Sequence, residues 1–276
     1  MAPGRRDAVD GVSPRRRVLV LAPHPDDEIV ACGLAALRAR REGAAVAVLH
    51  LTTGVPPPDE LWPWRRAGHA RRVERRRAEA RRAAALLGLA TAGFLDIPSR
   101  GLARRLDEVA ASAARALDVT AATELWVPAF EGAHQDHDAA NAVASRFRDR
   151  LPVWEFAAYN FAGGRVQSNR FIDARGGVVE LTADRDERAL KHQALAIYAS
   201  ERGNLRHVRS VEEAYRPLPV HGYAAPPHPG TLFRERFHWV PFRHPRIDFA
   251  PSAEIYAALG SWVAARVPAG AAALRV

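Results

Sequence analysis

Short apolar runs alternate with longer stretches of helical spacing through the first half of the chain, and that alternation predicts its architecture. Residues 18–22 are continuously apolar (Val-Leu-Val-Leu-Ala), the pattern of a strand buried on both faces. Residues 26–41 follow with Ile29, Val30, Leu34 and Leu37 at helical spacing, and Gly43 ends the helix. The same reasoning predicts strands over 45–52, 93–97, 124–128 and 153–159, and helices over 71–87, 102–117 and 138–150. A β-α-β-α order of this kind predicts an α/β fold: a mostly parallel sheet with helices on both faces and right-handed crossovers. The second half is less regular. Helices are expected over 184–201 and 253–267, and the stretch 203–229, rich in His, Pro and Arg, reads as loop.

One connection is longer than such folds require. Residues 54–70 carry Pro56-Pro57-Pro58, Trp62 and Trp64 and leave the second strand on the side where open α/β sheets bind ligands. Two readings stand side by side here: a lid that presents aromatic rings to a sugar face, or a loop that its tryptophans anchor.

Composition narrows the picture further. A chain of 276 residues, 48% of them apolar, suits one domain; residues 1–16 are expected to be flexible and 202–276 to form a variable C-terminal portion. The net charge of +9 is carried by arginine, since Lys191 is the single lysine. Along 65–82 the arginines alternate with Glu74 and Glu79 in the manner of a solvated helix face, so no nucleic-acid partner is expected. Cys32 is the only cysteine, which excludes an intrachain disulfide and a cysteine-based metal cluster. No apolar segment is long enough for a signal peptide or a membrane span, so the expected location is cytoplasmic.

The chemistry gathers at two strand exits. His24-Pro25-Asp26-Asp27-Glu28 follows the first strand, and His134-Gln135-Asp136-His137 follows the fourth. His24 at a strand end and Asp27 in the first helical turn can reach one ion, with His137 as the third ligand. Two imidazoles and one carboxylate leave a position open, as catalytic zinc sites require; Fe(II) and Co also suit these donors. Asp26 is the natural general base beside such a site. His134 would act from the opposite side, protonated, on the oxyanion or the leaving amine. Asp136 would orient His134 or His137. Glu28 is either a supporting residue or a helix-start acid. Each motif alone is weak, and the conjunction of two at neighbouring strand exits carries the reading.

Pro23-His24-Pro25-Asp26-Asp27-Glu28 together with His134-Gln135-Asp136-His137 resembles the PIG-L or LmbE-like zinc-dependent de-N-acetylases related to the N-acetylglucosaminyl-phosphatidylinositol deacetylase. Arg76, Glu79 and Leu87-Gly88 resemble that family's charged helix, and Lys191, Ala194, Tyr198 and Ser200 its late helix, so the resemblance spans residues 17–201. It implies a Rossmann-like fold and hydrolysis of the acetamide of N-acetylglucosamine-type sugars. By motif position it implies zinc on His24, Asp27 and His137, Asp26 as base, His134 as stabiliser or acid, and Arg76 as a substrate contact. Some members carry a tyrosine shortly before the second motif; here Phe130-Glu131-Gly132-Ala133 stands there, and Tyr159 or Tyr223 is the available substitute.

The leading expectation is therefore a zinc amidohydrolase acting on an acetylated amino sugar joined to something larger, with Trp62, Trp64, Trp154 and Arg76 around the sugar. Two alternatives use the same residues differently. A two-histidine, one-carboxylate Fe(II) oxygenase leaves Asp26 idle and is usually built on an antiparallel barrel. A non-catalytic binder of anionic glycan or nucleic acid rests on the charge alone.

Overall fold

The computed structural model describes residues 15–208, 211–242, 244–245 and 247–265. In chain order its elements are β1 (Arg17–Ala22), α1 (Asp27–Val30), α2 (Gly33–Arg41), β2 (Ala45–His50), α3 (Pro63–Arg66), α4 (His69–Leu86), β3 (Ala90–Phe94), α5 (Leu106–Thr120), β4 (Glu124–Pro128), α6 (Gln135–Ala144), β5 (Val153–Phe156), β6 (Tyr159–Asn160), β7 (Gln167–Ser168), β8 (Val179–Thr182), α7 (Arg185–Ile197), β9 (Glu212–Pro217) and α8 (Ser252–Ala264).

β1 is apolar at consecutive positions because both of its faces are covered. Leu19 and Leu21 enter one apolar cluster with α5, α6 and α8, while Val18 and Val20 enter another with α2, α4 and α7. Each fully buried side chain of this size contributes about 1.5–3 kcal/mol of transfer free energy. Such a strand is stable only at the middle of a sheet, and the sheet order β3-β2-β1-β4-β5-β9-β8 puts it there. The first five of these strands run parallel. Chain order reverses direction at β1, with β2 on one side and β4 on the other, which opens a crevice beyond the carboxyl ends of β1 and β4. Residues beyond 202 complete the same core, since Leu232, Ile255, Tyr256 and Leu259 pack into the cluster of Leu19 and Leu21.

Several elements differ from expectation. The helix expected over 26–41 is two helices, interrupted at Ala31-Cys32. The second has its own cap from a distance: the buried Glu213 carboxylate accepts the N–H groups of Leu34 (2.7 Å) and Ala35 (2.9 Å). Glu213 is in turn paired with the buried Lys191. Strand three lies at 90–94 rather than 93–97, because it is an edge strand whose first residues are exposed and leave no apolar signature. The stretch 203–229, read as loop, contains β9, which pairs antiparallel with β5 and β8 and makes the sheet mixed. β9 lacks an apolar strand pattern because two of its three buried positions, Glu213 and Arg216, are charged. α6 begins at Gln135, three residues ahead of its expected start, so His137 is helical. Residues 1–14 and 266–276, which take in most of the N-terminal segment expected to be flexible (1–16) and the end of the last helix, lie outside the described residues. Among the described residues no helix is long and apolar enough to cross a membrane.

Candidate metal centre and active site

His24 leaves β1 on the turn into α1, and its imidazole is clamped from two sides. Nδ1 lies 3.0 Å from Asp27 Oδ2, and Nε2 lies 3.0 Å from Asp136 Oδ2. Asp27 also accepts the His24 backbone N–H at 2.7 Å. From α6, His137 Nε2 comes within 3.2 Å of Asp27 Oδ1, yet neither ring nitrogen of this fully buried histidine has a hydrogen-bond partner among the described residues. A buried polar group left unpaired costs about 1–3 kcal/mol. The donor atoms of His24, Asp27 and His137 all lie within 4.8 Å of one another. Two imidazoles and a carboxylate so gathered, one ring lacking a hydrogen bond among the described residues, fit a divalent cation, and Asp136 behind His24 offers the outer carboxylate that such sites use to fix the tautomer.

Burial disfavours an ionised Asp27, but the His137 and His24 rings override it and hold the carboxyl well below its usual range. Burial likewise disfavours a charged His24, and Asp27 and Asp136 reverse this to raise its pKa to about 10. A second group, His24, His134 and Asp136, is equally compact. It is a poorer ion site, because its donors are already used. Asp136 accepts the N–H groups of Arg100 (2.6 Å) and Leu102 (3.1 Å) besides His24, and its own N–H donates to His134 Nδ1 at 3.1 Å.

Asp26 stands beside the trio with a backbone that non-glycine residues avoid, φ 137° and ψ −26°. Its N–H donates to Glu28 Oε2 at 3.1 Å, and its Oδ2 receives both terminal nitrogens of Arg76 at 3.3 Å. Burial raises the Asp26 pKa, Arg76 opposes this and Asp27 adds to it, leaving it at about 7. Arg76 reaches this point because Gly54 has no side chain: a Cβ there would sit 2.8 Å from both Arg76 Nε and Pro25 Cδ.

The expected site residues sort as follows. The structure brings His24, Asp26, Asp27, His134, Asp136 and His137 into one buried group, the His24 and His134 rings meeting edge-on at 4.4 Å. Asp136 serves His24 at 3.0 Å and lies 3.5 Å from His134 Nδ1, so of the two rings it was expected to orient it stands against His134. Arg76 is no solvated helix arginine: it is 3% exposed and divides itself between Asp26 and Glu201 (3.1 Å). Trp62 and Trp64 stack on each other at 5.3 Å, with Trp64 74% exposed and Trp62 meeting His244 at 5.8 Å. The loop that carries them is tied to the site through Glu60, which accepts from Arg100, whose backbone N–H donates to Asp136. Trp154 is corrected outright. It pairs in register with Trp126 within the sheet and packs on Tyr215, because its place on β5 turns it to the α2, α4 and α7 face. Of the two tyrosines, Tyr159 sets its ring 5.4 Å from that of His137, whereas Tyr223 donates to Asn141 Oδ1 at 2.7 Å, inside the core.

Sequence reasoning missed Arg100, whose N–H holds Asp136 from a left-handed backbone (φ 71°), and Glu201. It also missed what Glu28 and Tyr198 do: Tyr198 donates its hydroxyl to Glu28 Oε1, and both side chains are fully buried. Their signal was present as an acid and a tyrosine in motif-like positions, but only folding puts them in contact.

Residues 19–147 match the family model described as GlcNAc-PI de-N-acetylase, PIG-L. No curated protein matches the sequence. Among solved structures, the chain is similar to a deacetylase of the teicoplanin biosynthesis pathway, at 20% identity and TM-score 0.59 over 73% of this chain and 97% of that one. The A40926 pseudoaglycone deacetylase is similar at 19% identity and TM-score 0.59, over 75% and 100% of the two chains. So is the 4-carboxy-2-hydroxymuconate hydratase of Pseudomonas putida KT2440, at 18% identity and TM-score 0.51 over 75% and 97%. These likenesses establish a shared α/β fold.

Proposed function

We propose that this chain, whose residues 19–147 match the GlcNAc-PI de-N-acetylase family model, is a metal-dependent de-N-acetylase that hydrolyses the acetamide of an N-acetylglucosamine-type amino sugar on a larger conjugate. The observation that carries the reading is the convergence of His24, Asp27 and His137, with both His137 ring nitrogens buried and lacking a hydrogen bond among the described residues, beside Asp26 and His134.

His24, Asp27 and His137 would hold the ion, zinc first among the candidates and Fe(II) or Co compatible with the same donors. When bound, the ion supplies Lewis-acid polarisation of the acetamide carbonyl and acidification of water. The remaining work belongs to side chains. Arg76 takes only Oδ2 of Asp26, which leaves Oδ1 to accept the proton of the attacking water. As the carbon–oxygen bond forms and the carbon–nitrogen bond breaks, that proton passes to the departing amine, giving acetate and the free amino sugar. The Asp136 N–H on His134 Nδ1 assigns the ring proton to Nε2. Burial and the neighbouring His24 hold the His134 pKa well below its ordinary value. His134 therefore acts as a neutral Nε2–H donor to the oxyanion, in place of the imidazolium expected from sequence. Tyr159 borders the same space against His137, while Trp62 and Trp64 are assigned to the aglycone side.

Fold relatives named as a deacetylase of the teicoplanin biosynthesis pathway and the A40926 pseudoaglycone deacetylase support this reading, and the hydratase among them is why the assay must identify products. Purified protein is analysed for metal beside the Asp27→Ala variant, then offered N-acetylglucosaminyl conjugates while acetate and free amine are both measured. The expected result is about one ion per chain, lost in the variant, with acetate and amine released in equal amounts. A wild-type chain that binds no zinc, iron or cobalt, or that releases neither product, would sink the proposal.

A further inference from the structure

Asp26 is held from two directions by one short turn that follows α7, outside the family-matched segment. From one side Tyr198, fully buried at the end of α7, donates its hydroxyl to Glu28 Oε1, and Glu28 Oε2 accepts the Asp26 backbone N–H at 3.1 Å. From the other side Glu201 Oε1 holds Arg76 at 3.1 Å, and Arg76 holds the Asp26 carboxylate at 3.3 Å. Ser200 ties the same turn to α4 through its N–H to Glu79 Oε1, at 3.2 Å. Glu28 has little freedom to shift, since His50 Nε2 lies 3.4 Å from Oε2 and the His50 ring is stacked on Phe94. The backbone so gripped is strained: φ 137° is a conformation that a Cβ-bearing residue adopts only when its surroundings impose it.

We propose that the 198–201 turn is the positioning element for Asp26, with Tyr198 acting through the Glu28 carboxylate to hold the strained peptide that aims the Asp26 side chain. The inference deepens the functional reading and rests on it for its kinetic consequence, but not for its structural one.

The decisive variant is Tyr198→Phe, which removes one hydroxyl and leaves the ring. Misplacing a catalytic group by a fraction of its reach costs on the order of 10- to 100-fold in rate. Tyr198→Phe is therefore expected to lower kcat by about that factor, with KM within threefold and metal content unchanged. In an Asp26→Asn background the same change should cost nothing further, because the group it positions is already gone. A kcat within twofold of the parent, a loss appearing in KM instead, or an equal loss in both backgrounds would overturn the inference. If Tyr198→Phe does not fold, the isosteric Glu28→Gln reads the same cycle.

A second arm needs no activity. If Tyr198 and Glu28 impose the strain, the gap in melting temperature between Asp26→Gly and Asp26→Ala should be a few degrees in the parent and collapse when combined with Tyr198→Phe. A gap that survives the tyrosine change refutes the device. Turnover surviving Asp26→Asn would refute Asp26 as base while leaving this thermal result to stand by itself.

Discussion

Replacing Asp26 by glycine and, separately, by alanine isolates the free energy stored in its backbone. Both changes delete the carboxylate, its contact with Arg76 and its repulsion with Asp27, so those contributions cancel in the comparison. What remains is the φ 137°, ψ −26° conformation, which costs a residue with a Cβ about 1–3 kcal/mol and glycine very little. Glycine gives back about 0.4–1 kcal/mol through its greater freedom in the unfolded chain. The glycine variant should therefore be the more stable by about 1 kcal/mol, which for a domain of this size is a shift of about 2–4 °C in Tm. Differential scanning calorimetry at neutral pH reads this directly, with acetate release measured alongside. Both variants should lack turnover, so the more stable one exposes a strain the active chain retains for its chemistry. A glycine variant that melts with the alanine variant or below it would show that residue 26 is not strained, and the positioning argument would lose its basis.

Two other outcomes follow from buried charge. Lys191→Met leaves the Glu213 carboxylate buried with only the Leu34 and Ala35 N–H groups, a loss of about 3–5 kcal/mol by denaturant titration, and the double change Lys191→Met/Glu213→Gln should recover much of it. Glu155 gives a pH signature. Burial opposes its ionisation, but His221 (2.9 Å) and Arg216 (2.7 Å) prevail and hold its pKa below the ordinary value. A depressed carboxyl stabilises the fold above its unfolded pKa of about 4 and loses that contribution as pH falls through the folded value. The stability gap between wild type and Glu155→Gln should thus be full at neutral pH and narrow below pH ~4; a gap constant from neutral to acid would contradict it.

The parallel half of the sheet and the convergence of His24, Asp27 and His137 were legible in the sequence for one reason: both depend on local pattern. A doubly covered strand is apolar along its buried length, as 18–22 and 125–128 are, and a polar residue at a strand exit stands next to that signal. His24, Asp27 and His137 could be named because β1 and β4 announce themselves and topology makes them neighbours. The exposed edge strand β3 and the charged β9 carry no such pattern, because exposure or ion pairing meets their needs in place of apolar burial. Trp154 looked like a pocket residue since sequence gives residue type but not facing, and a strand turns alternate side chains to opposite sides. Sequence left Arg76 as either a substrate contact or one solvated arginine among many. Only tertiary structure takes it out of water against Asp26 and Glu201, and brings Tyr198 across 170 residues to Glu28. The sequence alone determined which chemistry was present and at which strand ends. The fold decided how Asp26 is held, because long-range contacts between buried polar groups obey hydrogen-bond satisfaction, a constraint that has no period along the chain.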